Sequence, residues 1–167
     1  MDKAILHVGC GGSPLPEWLS HYKETRLDIN PDCKPDIVAN MMELGEIGKF
    51  DAILSVHSFE HLYQHEVKKT LSEFKRVLND GGAVIIFVPD LEGVQATEDV
   101  LFEAPCGEIT GLDLIYGHRD FIEDMPYMAH HNGFTSKTLH DTLISNGFSK
   151  VKVTRLSNYD MMGVAVK

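Results

Sequence analysis

The sequence has few cysteines, no long apolar run and no excess of basic residues. Its three cysteines are scattered and odd in number, so they predict neither a disulfide framework nor a cysteine metal site. No apolar stretch approaches the roughly 20 residues that a membrane-spanning helix needs. Asp2 and Lys3 lead directly into a strand pattern, so we expect no signal peptide. These absences predict a cytoplasmic protein with no membrane partner.

Basic side chains are outnumbered, with 15 Lys and Arg against 25 Asp and Glu and a formal net charge of -10. Proteins that bind nucleic acids rely on a basic surface, so we expect no nucleic-acid partner. Acidic residues are concentrated between Asp90 and Asp124, where Arg119 is the single cation. This segment fits either a solvated surface or the entrance of a binding site that prefers cationic or neutral polyhydroxyl ligands.

Five short apolar runs predict the strands of a sheet: Lys3–Val8, Thr25–Ile29, Asp36–Ala39, Phe50–Val56 and Gly82–Val88. Continuous apolar runs are typical of strands covered on both faces, as in parallel sheets. The tail over 150–167 predicts two further strands around a turn near Ser157–Asn158. We therefore expect a mostly parallel α/β sheet that closes with a C-terminal antiparallel hairpin.

Two helices are predicted between these strands. The first places Val67, Leu71, Phe74 and Leu78 on one face and ends at 79–82, and the second runs from an N-cap at Thr135 to Gly147. The helix between the second and third strands is expected to be missing or vestigial, so the helices are trimmed. Residues 91–134 have weak periodicity and predict an irregular cap within a single domain over 1–167.

The turn after the first predicted strand reads Gly9-Cys10-Gly11-Gly12-Ser13-Pro14. A dinucleotide fingerprint needs glycine where Pro14 stands, and it needs free backbone N–H groups aimed at a pyrophosphate. Pro14 and Pro16 have no N–H to donate. The turn therefore favours a nucleoside without phosphates.

S-adenosylmethionine is such a nucleoside, and its two ribose hydroxyls need an acceptor. Asp28, at the end of the second predicted strand, can accept hydrogen bonds from both hydroxyls. The alternative is that Asp28 only begins the turn that follows.

Four segments in order resemble the motifs of class I S-adenosylmethionine-dependent methyltransferases. These segments are ILHVGCGGSP, RLDINPD, FDAILSVHSFEHL and VLNDGGAVIIFVPD, which lie between Ile5 and Asp90. The later IYGH and HHNGFTSKTLHDTLISNGF segments are similar to a small, type-11-like group of predicted methyltransferases. The resemblance implies a Rossmann-like, doubly wound sheet with a reversed last strand.

The resemblance also implies how the cofactor is held. Gly9, Cys10 and Gly11 would line the methionine part, Asp28 would hold the ribose and Ile29 would flank the adenine. Asn40 and Met41 match the place where the family offers an acid or amide to the adenine amino group. Ser55 to His57 would border the sulfonium.

Two positions depart from the family pattern. His7 stands where an acid often helps to organise the ammonium group of the cofactor, and Ser13 replaces the customary third glycine.

Histidine is the natural proton acceptor for a hydroxyl substrate near neutral pH. The candidates are His131 and His118 in the cap and His57 at the end of the fourth strand. His57, His61 and His65 are spaced by four residues, but we expect a break near Tyr63–Gln64 and no matching carboxylate, hence no metal site. His61 is expected to be a structural histidine.

The sequence thus predicts methyl transfer from S-adenosylmethionine to a small-molecule or glycan-like acceptor. The alternatives are a non-catalytic module that binds S-adenosylmethionine or S-adenosylhomocysteine and, less favoured, an NAD-dependent oxidoreductase. Completion of the acceptor pocket by a homo-oligomer or a partner subunit stays open.

Overall fold

A computed structural model describes residues 3–167 and contains nine strands. Seven of them form the main sheet: β1 Ala4–Val8, β2 Lys23–Asp28, β3 Ile37–Val38, β4 Phe50–Val56, β5 Leu78–Pro89, β8 Ser149–Arg155 and β9 Asp160–Val166. The other two, β6 Val100–Ala104 and β7 Gly107–Thr110, form a separate antiparallel hairpin.

The main sheet has the order β3-β2-β1-β4-β5-β9-β8. Strands β1 to β5 pair in parallel, whereas β9 is antiparallel to both of its neighbours, β5 and β8. The strand order reverses between β1 and β4, and in such sheets ligands bind beyond the carboxyl ends of the strands at that point. The predicted Rossmann-like α/β sheet and its C-terminal antiparallel hairpin are confirmed.

The four α-helices are α1 Val67–Val77, α2 Gly111–Tyr116, α3 Arg119–Ile122 and α4 Ser136–Ser145. Thr135 caps α4 as predicted, because its side chain accepts a hydrogen bond from the backbone of Thr138. The predicted end of the first helix was wrong by a few residues, since Leu78 already belongs to β5. Within residues 3–167 no α-helix joins β1 to β2 or β2 to β3, which confirms the trimmed architecture.

The two faces of the sheet are covered unequally. One face packs against α1 and α4, and its buried core includes Phe74 and Leu139. The opposite face is covered near β1 by a chain segment that contributes Leu19 and Tyr22. Among the described residues, no helix has the length and apolarity needed to cross a bilayer.

Residues 91–134, expected to be irregular, contain the β6–β7 hairpin, α2, α3 and a short 3-10 turn at Pro126–Met128. A capping box at Thr110 and Asp113 begins α2. Helices of four and six residues span less than two turns, so they leave no periodicity to detect. We refer to residues 91–134 as the cap.

Candidate active site

A cavity of about 550 Å³ opens at the carboxyl ends of β1, β2 and β4, where the strand order reverses. This volume lies within the usual range of about 300–1,000 Å³ for small-molecule sites. The turn after β1 forms one wall, and Met125, Tyr127 and Met128 of the cap form another. A hydrogen bond of 3.2 Å from Asn30 Nδ2 to the Tyr127 hydroxyl joins the β2 side to the cap.

The turn after β1 depends on glycine at its first position. Gly9 has φ +60°, and a Cβ placed there would lie 2.4 Å from Cβ of Ser58. Only glycine fits so close an approach in this left-handed conformation. Arg26 supports the turn from behind, with guanidinium hydrogen bonds of 2.8 Å to the carbonyl oxygens of Gly11 and Ser13.

Asp28 lies at the end of β2 and is 8% exposed. One carboxylate oxygen accepts a 2.7 Å hydrogen bond from the Gly11 amide, and the other accepts a 2.8 Å bond from the Asn30 amide. Each oxygen can accept a second bond. The carboxylate is therefore held in a fixed position with acceptor capacity left for a ligand.

The charged or readily protonated groups of the cavity wall are carboxylates and imidazoles. Asp28 and Glu66 supply carboxylates, His57 and His61 supply imidazoles, and no Lys or Arg side chain lines the cavity in the described part of the chain. A phosphate binder places cations or the N-terminus of a helix at the anion. Here the chain after the glycine turn forms only a three-residue 3-10 turn, preceded by Pro16.

Eight of the nine predicted cofactor residues line this cavity. They are Gly9, Cys10, Gly11, Asp28, Ile29, Asn40, Met41 and His57. Ser55 does not line it; it is fully buried, and its hydroxyl lies 2.8 Å from that of Ser58. Ser58 itself lines the cavity and was missed, as were Asn30 and the three cap residues.

His57 stands at the cavity mouth with an unusual backbone φ of +46°. Its Nδ1 is 3.4 Å from Oε1 of Glu60, and its Nε2 is 3.8 Å from Oδ2 of Asp160. Burial alone would lower the pKa of His57, but the Glu60 and Asp160 carboxylates outweigh that effect and raise it. The side chain is 48% exposed, so it can reach a bound ligand.

His118 and His131 do not line the cavity. His118 stacks on Phe121 at 4.3 Å between ring centroids, and His131 stacks on Tyr63 at 4.1 Å. Their catalytic roles stay predictions, and only His57 of the three candidates is part of the cavity wall.

The two departures from the family pattern lie around the same turn. His7 is 1% exposed, and its Nδ1 is 2.8 Å from Oε1 of Glu24 on the neighbouring strand. Burial lowers the pKa of His7 despite this contact. Ser13 donates its backbone N–H to the Cys10 carbonyl and so closes the turn. Burial raises the pKa of the Cys10 thiol, which does not favour a nucleophilic thiolate.

The break expected near Tyr63–Gln64 is confirmed. A 3-10 turn over Phe59–His61 ends at Leu62, and α1 begins only at Val67, so the three spaced histidines do not share one helix. His61 has its two ring nitrogens 3.0 Å and 3.2 Å from the carbonyl oxygens of Ala129 and His57.

The fold and site define a class I methyltransferase architecture, and comparisons with known proteins agree. The family described as Methyltransferase domain matches residues 6–86, about half of the chain. No curated protein matches the sequence. The family match and the structural neighbours support a class I S-adenosylmethionine-dependent methyltransferase, an enzyme with S-adenosylmethionine as its cofactor.

Solved structures share the fold at low sequence identity. A S-adenosylmethionine-dependent methyltransferase from Mesorhizobium loti is 16% identical with a TM-score of 0.69, covering 99% of this chain and 91% of that one. Burkholderia thailandensis 1,6-didemethyltoxoflavin-N1-methyltransferase, with S-adenosylhomocysteine bound, is 15% identical with a TM-score of 0.66, covering 99% and 71%.

Human N-acetylserotonin methyltransferase, in complex with S-adenosylmethionine, is 15% identical with a TM-score of 0.69. The alignment covers 99% of this chain but 47% of the human protein. The chain thus spans about half the length of some of its structural relatives and most of the length of others.

Proposed function

We propose that the enzyme transfers the methyl group of S-adenosylmethionine to a hydroxyl of a small-molecule or glycan-like acceptor. The observation that carries the cofactor site is the acidic cavity at the switch point, with Asp28 fixed at the end of β2. Its carboxylates suit the cationic sulfonium and ammonium groups of S-adenosylmethionine, and they disfavour a pyrophosphate.

In the proposed complex Asp28 accepts hydrogen bonds from the ribose hydroxyls. Gly9 and Gly11 let the backbone approach the methionine part. Ile29 flanks the adenine, and Asn40 bonds its amino group. This assignment is supported by the position of all five residues in the cavity wall. His57, which lines the same cavity, would stand beside the acceptor of the methyl group.

The reaction is an in-line displacement at the methyl carbon. The acceptor oxygen forms the new C–O bond, the C–S bond breaks, and its electron pair neutralises the sulfonium to leave S-adenosylhomocysteine. His57 takes the hydroxyl proton at a ring nitrogen, and its contact with Glu60 orients the ring. Alignment of the reactants supplies much of the rate, on the order of 7–11 kcal/mol in well-oriented systems.

A small acceptor is supported by the apolar cap residues in the cavity wall and by one of the structural relatives. The Burkholderia protein was solved with 1,6-didemethyltoxoflavin, a small molecule, in addition to S-adenosylhomocysteine. The cap residues Tyr127 and Met128, both exposed, offer an apolar surface to such an acceptor.

The test is a turnover assay with S-adenosylmethionine and a panel of small hydroxyl compounds and sugars. Mass spectrometry follows S-adenosylhomocysteine and the gain of one methyl group by an acceptor. We expect His57→Ala to lower turnover by about 10²–10⁴-fold, whereas His140→Ala on the exposed face of α4 leaves it unchanged. Cofactor binding without any methylated product would instead support the non-catalytic module.

A further inference from the structure

Outside the proposed cofactor site, a buried carboxylate lies among three imidazoles. Glu60 is 1% exposed, and neither of its carboxylate oxygens accepts a hydrogen bond from any residue in 3–167. Such a group costs stability unless a cation or donor compensates it. The 3.4 Å contact with His57 Nδ1 compensates Oε1 in part and leaves Oε2 without a partner among the described residues.

Two of the imidazoles join Glu60 in a cluster with the composition of a metal site. Ligand atoms of Glu60, His61 and His130 all lie within 4.8 Å of one another. His130 Nε2 lies 4.0 Å from Oε1 of Glu60. Zinc holds nitrogen and oxygen ligands at about 2.0–2.2 Å, so side-chain movements on the order of 1 Å would bring the three groups around one ion.

The second nitrogen of His130 makes the contact that metal-bound histidines usually make. Its Nδ1 lies 2.9 Å from the Leu114 carbonyl oxygen and donates a proton to it, which leaves the Nε2 lone pair directed at Glu60. A backbone acceptor on the outer nitrogen fixes the ring and its tautomer. His61 has its Nδ1 3.0 Å from the Ala129 carbonyl oxygen and its Nε2 3.2 Å from the His57 carbonyl oxygen, so the ring gives up the second contact when it binds an ion.

The backbone already holds the two ligand-bearing segments together. The amides of His131 and Asn132 donate to the carbonyl oxygen of Glu60 at 3.0 Å and 3.1 Å. The proposed ligands therefore come from two segments joined by backbone hydrogen bonds. One segment follows β4, and the other lies at the end of the cap. Little ordering is needed when an ion binds.

We propose that Glu60, His61 and His130 bind one divalent transition-metal ion of the Zn²⁺ class, which fastens the cap to the loop after β4. Two imidazoles and one carboxylate are a donor set suited to zinc. His57 lies outside this set, at the cavity mouth. The ion would compensate the buried carboxylate and tie residues 129–132 to the scaffold.

The test uses the full chain, treated with a chelator and then titrated with Zn²⁺ alone. We expect one Zn²⁺ per chain, a rise of several degrees in the melting temperature and slower amide exchange in the cap. Glu60→Gln and His130→Gln should each weaken binding by more than about 10-fold. His140→Gln, an exposed imidazole on α4, is the matched control and should bind like the unmodified protein.

Cobalt(II) substitution identifies the ligands. We expect d–d bands of a nitrogen- and oxygen-ligated ion without sulfur-to-metal charge transfer. Circular dichroism checks that each variant folds, and either ligand variant alone suffices for the test. The proposal is overturned if no Zn²⁺ is retained, if both ligand variants bind as tightly as the control, or if charge-transfer bands show that a cysteine is the ligand.

Discussion

The two sides of the cavity differ in how they are built. On the β1–β2 side, side chains bond directly to backbone groups of the turns, as Asp28 does to Gly11 and Arg26 does to Ser13. On the cap side, Tyr127 and Met128 are exposed and lie on a three-residue 3-10 turn. We call the β1–β2 side the fixed side, because these bonds hold its turns in place. The same cofactor binds in every reaction and suits the fixed side, whereas an acceptor suits the cap side, which has fewer buried contacts.

The largest effect is expected on the fixed side, at Gly9. Gly9→Ala places a methyl group 2.4 Å from Ser58 Cβ in a left-handed conformation, so we expect a loss of at least about 2 kcal/mol in the free energy of unfolding. Denaturant unfolding measures this loss, and calorimetry should show that S-adenosylmethionine affinity falls with it.

Gly12→Ala is the matched control. Apart from Gly12 and its two chain neighbours, no described residue has an atom within 4 Å of the Cβ that this change adds. Equal unfolding free energies for the two variants would mean that the turn does not have the proposed conformation.

An intermediate effect is expected inside the cap, at Asp113. This carboxylate is 9% exposed and accepts hydrogen bonds from Thr110 and from Arg119, whose guanidinium also pairs with Glu98. Burial would raise the pKa of Asp113, but these bonds outweigh it and hold the pKa well below its usual range. The stabilisation is therefore complete above about pH 4 and is lost as the pH falls towards the lowered pKa.

Asp113→Asn should cost roughly 1–2 kcal/mol at neutral pH, because solvent screens the Arg119 end of the network. Limited proteolysis should then cut the cap faster while the sheet stays intact. Asp120→Asn, an exposed neighbour on α3, should behave like the unmodified chain. An equal rate of cleavage in both variants would show that this network does not hold the cap.

The smallest effect is expected where the two sides meet. Tyr127→Phe removes the hydroxyl that accepts a hydrogen bond from Asn30 but keeps the ring. A single exposed neutral hydrogen bond contributes about 0.5–1.5 kcal/mol at most, so cofactor affinity should fall by no more than about 10-fold. Isothermal titration of the variant checks this limit. A larger loss would mean that the Tyr127 hydroxyl holds the cofactor directly.

The fixed side could be predicted from sequence because its features are local. The apolar runs gave β1 and β4 within one residue, and a turn at the end of a parallel strand must lie at the carboxyl edge of the sheet. The boundary at Leu78 was misplaced because this residue satisfies both the helical period of α1 and the apolar run of β5.

The cap side and the Glu60 cluster could not be predicted in the same way. Tyr127 reaches the cavity and His130 reaches Glu60 through contacts between residues far apart in the sequence. The spacing of His57, His61 and His65 would align them only on one continuous helix, and the expected break prevents that. In the Glu60 cluster, the carboxylate comes from the residue that precedes His61, and the second imidazole comes from His130 in a later segment.

The central claim is that the cavity at the switch point holds a phosphate-free adenosine by its ribose. Isothermal titration of S-adenosylmethionine, S-adenosylhomocysteine and NADH into the chain and into Asp28→Asn tests it directly, with Asp141→Asn on α4 as the control. The account predicts that S-adenosylmethionine and S-adenosylhomocysteine bind and that NADH does not. Asp28→Asn should weaken the binding of both by more than about 10-fold, as expected for charge-assisted hydrogen bonds, whereas Asp141→Asn should not. Binding of NADH alone, or unchanged affinity in Asp28→Asn, would contradict it.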